Sequence, residues 1–132
     1  MVTKPRVLVI SSDEADTDIL KGILSERVAL HCVRDLSELH SNLLGGGYDA
    51  VFCGWSFYRA TWNDVLEHVQ RHNPNLPVIV FCRTGGEREW VEVLEAGAFD
   101  LLVAPYRKAS VFTVLEQAVA SYEGRHLHMT LP

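Results

Sequence analysis

Leu76-Pro77-Val78-Ile79-Val80-Phe81-Cys82 contains no polar or charged side chain beyond a thiol, and that decides the fold class. A strand with one wet face alternates apolar and polar, whereas a run apolar throughout belongs in a parallel sheet buried on both faces. Outward from this run, strands and helices alternate. Upstream, Asn73-Pro74-Asn75 stops a helix that faces Trp62, Val65, Leu66 and Val69 inward and is capped by Thr61 or Asn63. Before it, Tyr48-Asp49-Ala50-Val51-Phe52-Cys53 reads as a third strand and Arg6-Val7-Leu8-Val9-Ile10 as a first. Between those two lie a helical stripe (Ala15, Ile19, Leu20, Ile23, Leu24), a mixed strand from 28 to 33, and a second stripe (Leu36, Leu39, Leu43, Leu44). Downstream, residues 87–96 predict a helix with Trp90, Val91 and Leu94 apolar, stopped by Gly97. Asp100-Leu101-Leu102-Val103 is the fifth strand. A last helix, from about 109 to 122, turns Val111, Val114, Leu115, Ala118 and Val119 inward.

Five strand–helix repeats with short, right-handed connections make an α/β protein: a flavodoxin-like (βα)5 three-layer sandwich with a five-stranded parallel sheet. The very apolar first and fourth strands belong in the centre and the second, with His31, at an edge, which fits the order 2-1-3-4-5. The domain spans residues 4–122. Residues 123–132 have no period and are expected to form a flexible tail.

The chain has 132 residues, a 48 % hydrophobic share and a net charge of −5. That charge argues against nucleic acid, whose affinity rests on lysine and arginine. No run reaches the roughly 20 apolar residues of a membrane span, and Met1-Val2-Thr3-Lys4-Pro5 is no secretory signal, so a cytoplasmic location is expected. Cys32, Cys53 and Cys82 sit in apolar runs without CxxC spacing and read as buried free thiols. Gly45-Gly46-Gly47 closes a helix rather than opening one, so it is a C-cap and not a phosphate loop.

Several stretches together resemble the receiver domain of bacterial two-component response regulators: Arg6 to Glu14, Gly47-Tyr48-Asp49-Ala50-Val51, Leu76 to Val80, and above all Leu94-Glu95-Ala96-Gly97-Ala98-Phe99-Asp100-Leu101-Leu102-Val103-Ala104-Pro105-Tyr106. The resemblance implies a site where an aspartate after strand 3 accepts a phosphoryl group, paired acids after strand 1 hold magnesium, and a lysine precedes the strand-5 proline. It also implies a hydroxyl residue ending strand 4 and a switching aromatic in strand 5. By position these become Gly54, Ser11 and Ser12, Ala104, Cys82 and Leu101, with only Asp13 keeping a carboxylate nearby.

Glycine has no nucleophile, magnesium prefers hard carboxylate ligands, and phosphoryl transfer depends on charge neutralisation that is missing here. A lysine left without its acids, if buried, would cost about 3–5 kcal/mol, so losing acids and lysine together is self-consistent. The resemblance therefore points to a degenerate pseudo-receiver, without catalytic residues, metal or cofactor. It implies signalling by protein contact, with a partner or a second copy docking on the face made by helix 4, strand 5 and helix 5. Trp90, Tyr106, Arg107 and Lys108 are the expected anchors there, with no nucleic acid or membrane contact. The alternatives are a phosphotransfer receiver with relocated chemistry, at Asp13 or Asp49, or a flavodoxin-like small-molecule domain. A flavin phosphate would find hydroxyls at Ser11, Ser12 and Thr17 but repulsion from Asp13, Glu14 and Asp16.

Three other groups have a bland reading. The aromatics Trp55, Phe57, Tyr58 and Trp62 after strand 3 fill the vacated pocket volume rather than stack on a ligand. His68 and His72 share a helix face but read as surface residues, and His126 and His128 lack a third ligand.

Overall fold

Residues 4–12, 14–57 and 60–130 are described by a computed structural model. Its strands are β1 (Arg6–Ile10), β2 (Ala29–Val33), β3 (Ala50–Gly54), β4 (Ser56–Phe57), β5 (Ala60–Thr61), β6 (Val78–Cys82) and β7 (Asp100–Val103). The helices are α1 (Glu14–Leu24), α2 (Leu36–Gly45), α3 (Trp62–His72), α4 (Glu87–Ala96) and α5 (Lys108–Thr130). The main sheet is parallel with the order β2-β1-β3-β6-β7, which is the expected 2-1-3-4-5 once the short β4–β5 hairpin is set aside.

The apolar strands are explained by where alternate residues go. Val7, Val9, Phe52, Ile79 and Phe81 pack with Leu20, Leu24, Val111 and Leu115 on the α1–α5 side. Leu8, Ile10, Val51, Cys53 and Val80 pack with Leu39, Val65, Val69 and Val93 on the α2–α3–α4 side. Each central strand is therefore sealed on both faces. β2, at the edge, keeps His31 exposed, as its mixed composition predicts.

Loop chemistry closes the elements as expected in two places. Thr61 caps α3 in a box with Asp64, whose carboxylate accepts the Thr61 N–H at 2.9 Å. α2 ends at Gly46, with φ 71°, and Gly47 follows at φ 85°, conformations that glycine reaches without strain.

Helix faces and ends depart from the plain hydropathy pattern in four places. In α1 the buried face is Asp16, Thr17, Leu20, Ile23 and Leu24, while Ala15 and Ile19 face solvent. Hydropathy alone had rotated this face, because it could not anticipate polar residues turned toward the top of the sheet. In α2, Leu39 is fully buried but Leu44 is 66 % exposed, since it sits one step past the stripe. In α4 only Val93 is buried, whereas Trp90 and Val91 are exposed. The expected tail from residue 123 is instead helical, because α5 runs on to Thr130. Gly124 costs about 1 kcal/mol relative to alanine but does not end a helix already nucleated, and no proline intervenes before Pro132.

The contrast within α2 is testable. Leu39→Ala should cost about 2–5 kcal/mol in urea unfolding and Leu44→Ala no more than about 0.5 kcal/mol. Equal losses would contradict the burial described here.

Candidate functional site

The C-terminal edge of a parallel sheet is where its helix-connecting loops diverge and a cleft opens. Here β1 delivers Ser11, β3 ends at Gly54, and β6 ends at Cys82, around a cavity of about 390 Å³. Trp55, Ser56, Arg83, Thr84 and Glu89 complete its wall, together with Asp16 from α1. Ser11, Gly54 and Cys82 of the expected pocket thus come together.

The other expected pocket residues do not. Ser12 lines a separate cleft between α1 and β2, and Asp13 lies outside the described residues. Ala104 docks through its backbone, donating to the Cys82 carbonyl at 3.0 Å. Leu101 is buried in the core beside Val80 and Val93. Asp49 lies at the opposite, entering end of β3, where its carboxylate accepts the Arg6 N–H at 2.8 Å.

A side chain at Gly54 would crowd Ser11, which would have to give by a few tenths of an ångström. A Cβ built there would lie 3.1 Å from Ser11 Oγ and 3.4 Å from Ser11 Cβ, tighter than ordinary contact. Ser11 and Gly54 therefore close on each other where a receiver would set carboxylate against metal. The neighbouring β4–β5 hairpin carries Trp55, which is half-buried against Trp62 with ring centroids 5.6 Å apart. Trp55 and Trp62 thus pack on each other, with Trp55 also reaching the cavity wall, while Tyr58 lies outside the described residues.

The charged group that organises the cleft was not anticipated as a site. Asp16 is buried, with Oδ1 3.3 Å from Nε of Arg83. Its Oδ2 accepts a hydrogen bond from the Tyr106 hydroxyl at 3.3 Å. Tyr106 also meets Phe81 edge-on, with centroids 6.1 Å apart. Asp16 was visible as an acid in the first turn and Arg83 as the residue after the fourth strand, but no spacing links them. Only the parallel register puts both at the same end of the sheet.

The residues of the expected interaction surface have these surroundings. Tyr106 turns inward to Asp16 rather than outward as an anchor. Lys108 pairs with Glu26 at 2.8 Å, on the α1 side. Trp90 and Arg107 do face outward, and the Trp90 indole N–H donates to Asp100 Oδ1 at 2.9 Å.

The remaining chemistry is quiet. Burial pushes the Cys53 thiol far above its ordinary value, with Asp64 adding to the effect. Burial first, then Glu89 and Asp16, raise Cys82, and burial likewise raises Cys32. Thiols held neutral in this way are poor nucleophiles. The magnesium ion used by receivers does not fit these residues either. Hydroxyls replace the hard carboxylates, and the nearest buried acid already faces a guanidinium.

The solved structures most similar to the chain share one architecture. A signal receiver domain of an HD domain-containing protein from Pseudomonas fluorescens Pf-5 superposes with a TM-score of 0.83 at 18% identity, covering 96% of this chain and 94% of that one. The beryllofluoride-activated NtrC4 receiver domain dimer gives 0.80 at 20%, over 89% of this chain and 98% of that one. NtrX from Brucella abortus, in complex with ADP, gives 0.82 at 20%, over 96% of this chain but 29% of that one. The fold is that of a response-regulator receiver domain. No family model and no curated protein matches the chain in sequence. Identity at this level speaks for the receiver fold and not for its chemistry.

Asp16 and Tyr106 should be energetically coupled. In a double-mutant cycle of Asp16→Asn and Tyr106→Phe, measured by urea unfolding, a coupling of about 0.5–1.5 kcal/mol is expected. Strict additivity would show that the hydrogen bond does not hold the β7–α5 loop to α1.

Proposed function

We propose that this chain is a receiver-like module of bacterial two-component signalling that is not phosphorylated, has no enzymatic activity, and acts in the cytoplasm by binding protein. The contact between Gly54 and Ser11 carries the reading. The acceptor position lacks a nucleophile, and a side chain placed there would press on Ser11 Oγ. The Asp16–Arg83 pair supports it further, since a cleft whose acid and base already face each other offers little net charge to a phosphoryl donor and metal. Among the described residues no helix is long and apolar enough to cross a membrane.

Such a module can still present a fixed surface. Trp90 is 45 % exposed and Val91 38 %, an apolar pair on α4, and Arg107 is exposed as well. Tryptophan and arginine are enriched at binding hot spots, and an exposed apolar pair is a plausible seat for a partner or a second copy. The NtrC4 receiver domain is a dimer when activated. In this reading the association needs no activation, because no covalent event separates two states.

Two experiments test the two halves. Incubation with acetyl phosphate and magnesium should leave the intact mass unchanged, and Gly54→Asp alone should still take up no label while losing stability. An acid-labile increment of one phosphoryl group on the wild type would overturn the claim. For the surface, Trp90→Glu should weaken self-association or partner capture by at least about 1–2 kcal/mol in sedimentation or titration, with beryllofluoride having no effect. A monomeric wild type whose partners are all retained by Trp90→Glu would refute it.

A further inference from the structure

Away from the cleft, the α2–α3 contact gathers three imidazoles. Sequence spacing places His68 and His72 on one face of α3, and the fold brings His40 of α2 against them. His40 Nδ1 and His72 Nε2 are 3.2 Å apart, and the His40 ring centroid lies 4.9 Å from that of His72 and 6.2 Å from that of His68. His40 and His72 are exposed, so an ion reaches them without opening the core.

We propose that His40 and His72, joined by His68, form a binding site for a divalent transition metal of the zinc class. The argument is geometric. Zinc–imidazole bonds of about 2.0–2.1 Å at a tetrahedral angle set ligand nitrogens roughly 3.3–3.4 Å apart. The His40–His72 separation already matches, so turning the two rings to aim both nitrogens at a shared ion makes two ligands across two helices. At present one proton bridges these nitrogens. Binding moves it to the outer nitrogen of the same ring or releases it, which frees both lone pairs for the metal. As they stand, no group of three or more His, Cys, Asp or Glu side chains among the described residues is placed to hold a metal ion. His68 must therefore swing toward the pair, which its i,i+4 placement before His72 allows. Water fills the remaining position. Imidazole ligands favour zinc, copper and nickel, and give no purchase to magnesium or calcium. The site would clamp α2 to α3 and is independent of the phosphoryl pocket.

The test uses the untagged full chain, stripped with EDTA. Zinc chloride, followed by titration calorimetry and thermal unfolding, should bind one equivalent and raise the melting temperature saturably, while magnesium chloride does neither. His40→Gln and His72→Gln should each weaken zinc binding by roughly tenfold or more, and His68→Gln should weaken it measurably, with circular dichroism unchanged. His126→Gln/His128→Gln, which removes the other histidine pair, should leave binding intact. Absence of one-to-one zinc binding, full affinity in His40→Gln or His68→Gln, or loss confined to the His126/His128 variant would overturn the proposal.

Discussion

Burial of the central strands on both faces is the constraint from which the remainder of this structure follows. β1, β3 and β6 send alternate side chains to two separate apolar layers, and neither layer could be exposed without wetting half of each strand. That forces helices onto both faces, and parallel strands force every crossover to run back along the sheet. One end of the sheet then collects the outgoing loops. A cleft at that end is a product of topology before any residue in it is chosen.

What fills the cleft is a matter of charge and volume. A receiver of the resembling kind would place several charges there, each needing the others. In this chain Ser11 closes against Gly54, Ala104 docks by its backbone, and Leu101 is absorbed into the core. The buried charge that remains, on Asp16, is met by Arg83 and by the Tyr106 hydroxyl. A buried carboxylate without such partners would be costly, so these contacts explain why α1 can turn a polar residue inward. The same contacts tie α1, the β6–α4 loop and the β7–α5 loop together.

The surface divides in an equally physical way. Of the residues that the resemblance assigns to an exposed face, Tyr106 is half-buried against Asp16, while Trp90, Arg107 and Lys108 are exposed, Lys108 beside Glu26. The three imidazoles meet because α2 and α3 pack against each other.

The sequence by itself determined the layers, the strand order and the losses at the acceptor, acid and lysine positions. Those depend on local composition and on period: an unbroken apolar run such as Val78–Cys82 has one stable environment, and glycine at position 54 has no side chain in any fold. The Thr61 cap and the glycine end of α2 were equally legible, because capping is chemistry between residues a few positions apart. Tertiary structure alone decided which face of α1 is buried, how far α5 extends, and which side chains meet Asp16 and His40. The burial of α1 and the meetings at Asp16 and His40 rest on contacts between segments remote in the chain, and pairings of that kind leave no period or spacing to read. The register of parallel strands and the packing of helices on them are what bring Arg83 to Asp16 and His72 to His40.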